Sequence, residues 1–332
     1  MPDPMFPLGL RVVGPKNSSR RVIEHGRAFL AHSAVDPAAE CGRESYLTSF
    51  QFDASLAAYF GGNGYSERGY DGPCFADWMW FDLDNADPQM ALTHARQLVA
   101  TVLERYRKLD EDDLLLFLSG SKGFHVGIPT ALWRATPGQG FNKVCKGLAE
   151  YLAALAGVGI DAGTYDLKQL FRAPNSRHPK TGLHKRYLRY EELMGLSLDS
   201  IRELASVPMP FDVPDPPATA DPAALNDWQK AMQALADQSK PKGPAGATGN
   251  GTGRLNRQTI ELIREGTTEG NRHRLLFSAA ANLAELGDID RIAFELLTDV
   301  GLDMGLCPSD VRRQIATGLE HGRKQIKDNT DG

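Results

Sequence analysis

Trp78-Met79-Trp80-Phe81-Asp82-Leu83-Asp84 is an apolar run that ends in two carboxylates one residue apart. Strand geometry sends successive side chains to opposite faces, so Asp82 and Asp84 share one face while Phe81 and Leu83 take the other. Neighbouring carboxylates repel unless a cation lies between them, and paired hard oxygen ligands suit Mg²⁺ or Mn²⁺. A metal pair held in that way activates an attacking hydroxyl and neutralises a leaving phosphate. An Asp-x-Asp is also a common solvated strand end, so this one gains meaning only from what surrounds it.

Outward from that strand, Leu92, Ala95, Leu98, Val99, Val102 and Leu103 recur at helical spacing between Ala91 and Lys108, and a second helix is predicted over Phe141 to Ala156. Leu114 to Leu118 and Phe124 to Ile128 read as strands joined by the turn Ser119 to Gly123. The mixture predicts an α+β catalytic domain over residues 1–207. Composition then shifts. Pro208 to Pro217 is proline-rich and Lys240 to Gly253 is Gly, Pro, Ala, Ser and Lys, so 208–253 reads as a linker with a short helix, Ala223 to Gln238. Helical segments Asn271 to Leu286, Ile289 to Leu302 and Ser309 to Lys324, broken at Gly287 and Gly305, predict a small helical domain over 254–332.

At 332 residues the chain is long enough for two domains. Its 42% hydrophobic and 24% charged residues are ordinary for a soluble protein, and no apolar run approaches the ~18 residues of a membrane span. The N-terminal Met-Pro-Asp-Pro-Met-Phe-Pro lacks a basic stretch leading into an apolar run, so the expected location is the cytoplasm. Cys41, Cys74, Cys145 and Cys307 are scattered, with no Cys-x-x-Cys and no finger-spaced His, so reduced thiols and no zinc are expected. A net charge of −5 argues against indiscriminate nucleic-acid binding but says little about one groove lined with Lys and Arg.

Two further stretches carry chemistry. Leu116-Phe-Leu-Ser119-Gly120-Ser121-Lys122-Gly123-Phe124-His125-Val126 is a strand, a small glycine-containing turn and a second strand. Such a turn leaves N–H groups free and gathers hydroxyls and a cation, which is how phosphates are held, although an ordinary hairpin has the same outline. It is not a Walker loop, so an ATPase is not implied. From Leu167 through Tyr190 there is no carboxylate, while Lys168, Arg172, Arg177, Lys180, Lys185, Arg186 and Arg189 supply positive charge. Charge runs are usually solvated faces, but Pro, Asn, Ser and Gly among the cations suggest a phosphate-gripping loop.

In this order the segments resemble the archaeo-eukaryotic primase superfamily, over roughly residues 75–190. The matching motifs are the strand ending in Asp82 and Asp84, the Ser119 to His125 strand pair, and a lone Asp behind a hydrophobic residue, followed by Phe171-Arg172 and Asn175-Ser-Arg-His-Pro-Lys-Thr-Gly182. Asp161 and Asp166 both precede Phe171-Arg172. Asp161, in Asp-x-Gly-x-Tyr, is the better match. The resemblance implies an RRM-like catalytic core with two Mg²⁺ or Mn²⁺ ions on Asp82, Asp84 and Asp161. It implies a triphosphate contacted by Ser119, Ser121, Lys122, His125 and Arg172, with Arg177, His178 and Lys180 extending that grip. Lys185 and Arg186 join them along the triphosphate or the template backbone.

The implied activity is template-dependent nucleotidyl transfer, a primase-polymerase acting on single-stranded DNA template and primer with NTPs or dNTPs. A helicase or other replication protein is the partner the family suggests. A repair polymerase that only extends primers fits the same motifs, and a non-catalytic single-strand-binding initiator module is the rival from another class. Glu269 to Leu283 with Val311 to Gly322 resembles the small helical domain of phage and plasmid primases, which tilts the reading toward priming.

Overall fold

The computed structural model describes residues 5–67, 69–239, 255–267, 271–287 and 289–330. The chain divides into two compact units, Met1–Pro241 and Lys242–Gly332. The first is α+β, and no helix among the described residues is long and apolar enough to cross a membrane. Its elements are β1 (Leu8–Val13), β2 (Arg21–Glu24), α1 (His25–Ser33), β3 (Ser45–Thr48), β4 (Gln51–Phe52), α2 (Ala54–Gly62), β5 (Cys74–Phe75), β6 (Trp78–Leu83), α3 (Pro88–Arg105), β7 (Leu115–Leu118), β8 (Phe124–Pro129), α4 (Phe141–Ala156), β9 (Leu170–Arg172), β10 (Arg186–Leu188), α5 (Tyr190–Gly195), α6 (Leu198–Leu204) and α7 (Pro222–Ser239).

Two antiparallel sheets result. One has the order β10-β7-β8-β6, in which β6 and β7 run parallel with β8 between them, so β6-α3-β7 is a split βαβ unit. Its register sets Asp82 opposite His125. Met79, Phe81, Leu83, Leu116, Leu118, Val126 and Ile128 bury one face against α3 and α4. α3 begins with Asp87 capping Gln89 N–H and Pro88 in the first turn, and it turns Ala91, Leu92, Ala95, Leu98, Val99 and Val102 inward. α4 stops at Gly157, whose φ of 69° is the left-handed conformation that closes a helix.

The other sheet, β5-β4-β1-β3-β9 with β2 also on β1, joins the first fifty residues to β9. Trp80, Leu115, Phe117 and Phe171 fill the space between the sheets, with Phe29 and Trp78 packed against them. This second sheet has no counterpart in the sequence reading.

The stretch read as a linker has structure of its own. Residues 208–221 form an extended strap: Met209 N–H donates to Asn175 Oδ1 (2.9 Å), Phe211 N–H to Ser33 O (3.1 Å), and the Phe211 ring stacks on Tyr187 at 4.6 Å. Prolines deny the strap a ladder but suit it to lie extended on a surface. α7 (18 residues) is the helix expected over Ala223 to Gln238, one residue longer at each end. Trp228 packs on Phe141, and Asp227 accepts two hydrogen bonds from Arg105 (2.6 and 2.7 Å) and one from Tyr106. The Gly-rich stretch 240–253 lies outside the described residues.

The second unit is helical: α8 (Arg257–Glu265), α9 (Arg272–Ala284), α10 (Asp290–Asp303) and α11 (Pro308–Thr330). Leu276, Ala280, Leu283, Leu297, Ile315 and Leu319 form its core. Gly318 and Gly322 let α11 lie directly on α9, because a Cβ at either would run into the carbonyl of Phe277 or Ala281.

Candidate active site

Asp82 sits on β6 with 21% of its side chain exposed, on the face opposite buried Phe81 and Leu83. Asp84 lies just past the strand end and is exposed. Asp161 reaches the same place from a distant segment: its N–H donates to Asp82 O (3.0 Å), and its side chain caps the short 3-10 turn Ala162–Tyr165 by accepting from Gly163 N–H (2.9 Å). Tyr165 locks that turn by donating to Trp80 O (2.6 Å). Asp166 is exposed at the far end of the turn.

Burial, then the charges of Asp84 and Asp161, lift the Asp82 carboxyl to about 7 against the opposing pull of Lys185 and Lys16. His125 Nε2 lies 3.5 Å from Asp82 Oδ1. That contact is no ion pair, because burial and the neighbouring Lys185 and Arg172 hold His125 well below the usual imidazole range and leave it neutral. Its ring rests on Phe171 at 4.1 Å.

Arg172, ending β9, donates to the Tyr46 hydroxyl (3.1 Å) and covers that ring. Three buried polar atoms around this point have no hydrogen-bond partner: Asp82 Oδ1, His125 Nδ1 and Arg172 Nη1. Buried polar groups are normally satisfied, so three orphans on the neighbouring elements β6, β8 and β9 make this a candidate ligand site.

The β7–β8 turn borders the group. Ser119 closes it, its N–H donating to Gly123 O (2.9 Å) and its Oγ accepting from Gly123 N–H (3.3 Å), which leaves Ser121 and Lys122 at the tip. Lys122 Nζ is 3.7 Å from Asp84. A Cβ at Gly123 would overlap Asp84 Oδ1, the mobile end of that side chain, and lie 3.0 Å from Leu83 O. The Asn175–Lys185 hairpin packs beside this turn through Thr181 Oγ1, which donates to Gly120 O (2.5 Å). Within it His178 Nδ1 accepts from Lys180 and Thr181 N–H, Arg177 Nε donates to Gly182 O, and Arg177 and Lys180 are exposed.

The basic run is not one solvated face. Lys185 is fully buried, which draws it well below the usual lysine range; its Nζ is 4.4–4.9 Å from the rings of Phe171, Phe117 and Trp80 and donates to Arg172 O (2.8 Å), and Arg186 is buried on β10. Lys185 and Arg186 are consecutive and leave an extended backbone on opposite sides, so their burial requires that both sides of the chain be covered there. Lys16, in the β1–β2 loop, faces Asp82 and Asp161 from the other sheet. Nothing in its local sequence marks it, and only the pairing of β1 with β3 and β3 with β9 brings it near.

Among the described residues no three His, Cys, Asp or Glu side chains are close enough together to hold a metal ion. Asp161 spends one oxygen on its own turn and Asp84 leans toward Lys122. The donor chemistry nevertheless fits a hard divalent ion: carboxylate oxygens only, one of them buried and unpartnered. In the second unit Arg272 donates to Met304 O (2.6 Å) and His273 and Arg313 converge on Asp310, so part of its basic character is spent internally.

No family model and no curated protein matches the chain. A solved crystal structure of a primase, RepB′, aligns over 97% of this chain and 94% of its own length, at 12% identity and a TM-score of 0.36. At that level of similarity the alignment establishes neither a shared topology nor a shared activity.

Proposed function

We propose that the protein is a template-dependent nucleotidyltransferase, a primase-polymerase that joins nucleotides on single-stranded DNA and works from an RRM-like core. The observation that carries this reading is the convergence of three unpartnered buried groups, Asp82 Oδ1, His125 Nδ1 and Arg172 Nη1, in the field of Asp84 and Asp161. The ordered motifs of the sequence support it independently, since the same residues are those the primase resemblance singles out. Asp82, Asp84 and Asp161 would hold Mg²⁺ or Mn²⁺, which supplies charge neutralisation and an acidified 3′-hydroxyl. Arg172, with one N–H group free, meets phosphate charge as it grows in the transition state. His125, held neutral and flat against Phe171, offers a hydrogen bond without adding charge. Lys122 and the free tip of the Ser119–Gly123 turn stand at the rim, where a triphosphate enters. Lys185 acts from beneath, its Nζ donating to Arg172 O, and burial draws it well below the usual lysine range against the pull of Asp82.

The test is incorporation of labelled nucleotides by the full chain on unprimed and primed single-stranded DNA, in Mg²⁺ and in Mn²⁺ separately. Asp82→Asn and Arg172→Ala should each lower turnover at least about 100-fold without loss of fold. Absence of synthesis by the wild-type chain under every condition would favour the non-catalytic single-strand-binding reading.

A further inference from the structure

Beyond Trp80, at the opposite end of β6 from Asp82, lies a cavity of about 750 Å³ that the catalytic reading does not use. It is bounded by α1, the β3–β4 link, β5 and β6, the end of β8 and the strap at Val213–Pro216. Phe29, Trp78 and Trp80 give it aromatic walls, with the Phe29 and Trp80 rings 6.3 Å apart. Trp78 is four residues from Asp82, so the two sites are separated by about 13 Å along the strand.

Its buried polar groups combine the acceptors Gln51 Oε1 and the Asp77 carboxylate with the Ser49 hydroxyl, which can accept or donate. Gln51, 3% exposed, gives its amide N–H groups to Asp77 Oδ2 (2.6 Å) and His25 Nδ1 (3.3 Å), while His25 Nε2 donates to Thr48 O (2.9 Å). That chain of bonds fixes the amide orientation and leaves Gln51 Oε1 as the free end, buried and without a partner. Ser49 Oγ, on a residue 5% exposed, is likewise unpartnered. The Asp77 carboxylate stands beside them, Asp215 is at the strap, and no Lys or Arg among the described residues lines the space. Such a cavity repels phosphate and accepts a flat, neutral group rich in N–H donors.

We propose that this cavity is a second ligand site, which binds a guanine base stacked on Trp78 with its adjacent N1–H and 2-amino donors turned to Gln51, Asp77 and Ser49. Adenine and cytosine each present one amino group beside a ring acceptor, which would face another acceptor here. The site is independent of nucleotidyl transfer: it needs no metal and no phosphate. Its guanine comes from a free nucleoside or from an unpaired base of a single strand.

Calorimetric titration of the full chain with guanosine, adenosine and cytidine tests this. Guanosine should bind with a Kd below about 1 mM and at least about ten times tighter than the other two. Ser49→Leu, which intrudes on the cavity, and Trp78→Ala, which removes its wall, should each weaken guanosine about tenfold or more in protein that remains folded at the assay temperature, while Asp82→Asn binds it as the wild type does. A single-stranded oligonucleotide carrying one guanine assigns the occupant to a strand if it displaces guanosine where a guanine-free one does not, and to a free nucleoside if neither does. No saturable guanosine binding, equal affinity for adenosine, or loss of binding in Asp82→Asn alone would overturn the proposal.

Discussion

In the unfolded chain Asp82 titrates near the ordinary aspartate value of about 3.9, whereas burial and the carboxylates of Asp84 and Asp161 lift it to about 7 in the folded protein. Between those values the folded state keeps a proton that the unfolded state has released, so stability from this group falls as pH rises from about 4 to 7 and stays low above. Asp82→Asn removes the penalty. In chelator, the variant should therefore melt above the wild type at pH 8, by at most about 4 kcal/mol for a three-unit shift, and coincide with it near pH 4. Added Mg²⁺ or Mn²⁺ should narrow the gap at pH 8. Equal melting temperatures at both pH values in chelator would mean that Asp82 carries no such strain. The choice between Asp161 and Asp166 is testable at the same scale. Both are exposed, but Asp161 is tied to Asp82 through the backbone and acts on its charge, while Asp166 lies at the far end of the turn. Asp161→Ala should abolish nucleotide incorporation and Asp166→Ala retain most of it, and the reverse result would move the third carboxylate to Asp166.

Elements with a single strong period were legible. β6 and α4 show it: alternation in Trp78–Leu83 and helical spacing in Phe141–Ala156 each match one template, and a glycine ends the helix. The sheet built from β1, β3, β4 and β9 was not legible, because β4 has two residues and β3 pairs with β9 across more than 120 positions. Lys16 went unread for that reason, as did the strap, whose prolines look alike whether the segment is tethered or packed. The β7–β8 turn yields a prediction that separates its two glycines. Gly123→Ala places a Cβ where Asp84 Oδ1 lies and 3.0 Å from Leu83 O, so it should push the carboxylate aside and lower synthesis nearly as far as Asp84→Ala, with a stability loss of only about 1 kcal/mol. Gly120 has a φ of 86° and backbone close by, so Gly120→Ala should cost more stability, about 1–2 kcal/mol, while sparing Asp84. Chemical denaturation and steady-state synthesis on both variants check this, and similar activity losses from the two would show that the turn acts as one unit.

At the scale of the whole molecule, the position of α7 decides where the chain can be cut. A cut after Val207 removes the Phe211 stack on Tyr187, uncovers the Trp228 site on Phe141 and strips Arg105 and Tyr106 of Asp227, whose side chain is 1% exposed. Losing a buried aromatic together with the carboxylate that accepts from Arg105 and Tyr106 costs several kcal/mol, so that fragment should melt far lower or aggregate. A cut after Ser239 keeps every one of these contacts. If the helical unit serves initiation, residues 1–239 should extend a supplied primer at nearly the full rate and lose most synthesis on unprimed template. Starting a chain requires two free nucleotides to be held together without the stacking a primer provides, which places the demand on contacts beyond the active site. The Gly-rich composition of 240–253 is that of a tether, which raises the effective concentration of whatever the helical unit grips. The full chain should then bind single-stranded DNA more tightly than the 1–239 fragment, with the advantage shrinking as salt rises. Equal initiation by the 1–239 fragment and the full chain would reduce the helical unit to a structural role and leave priming to the first unit alone.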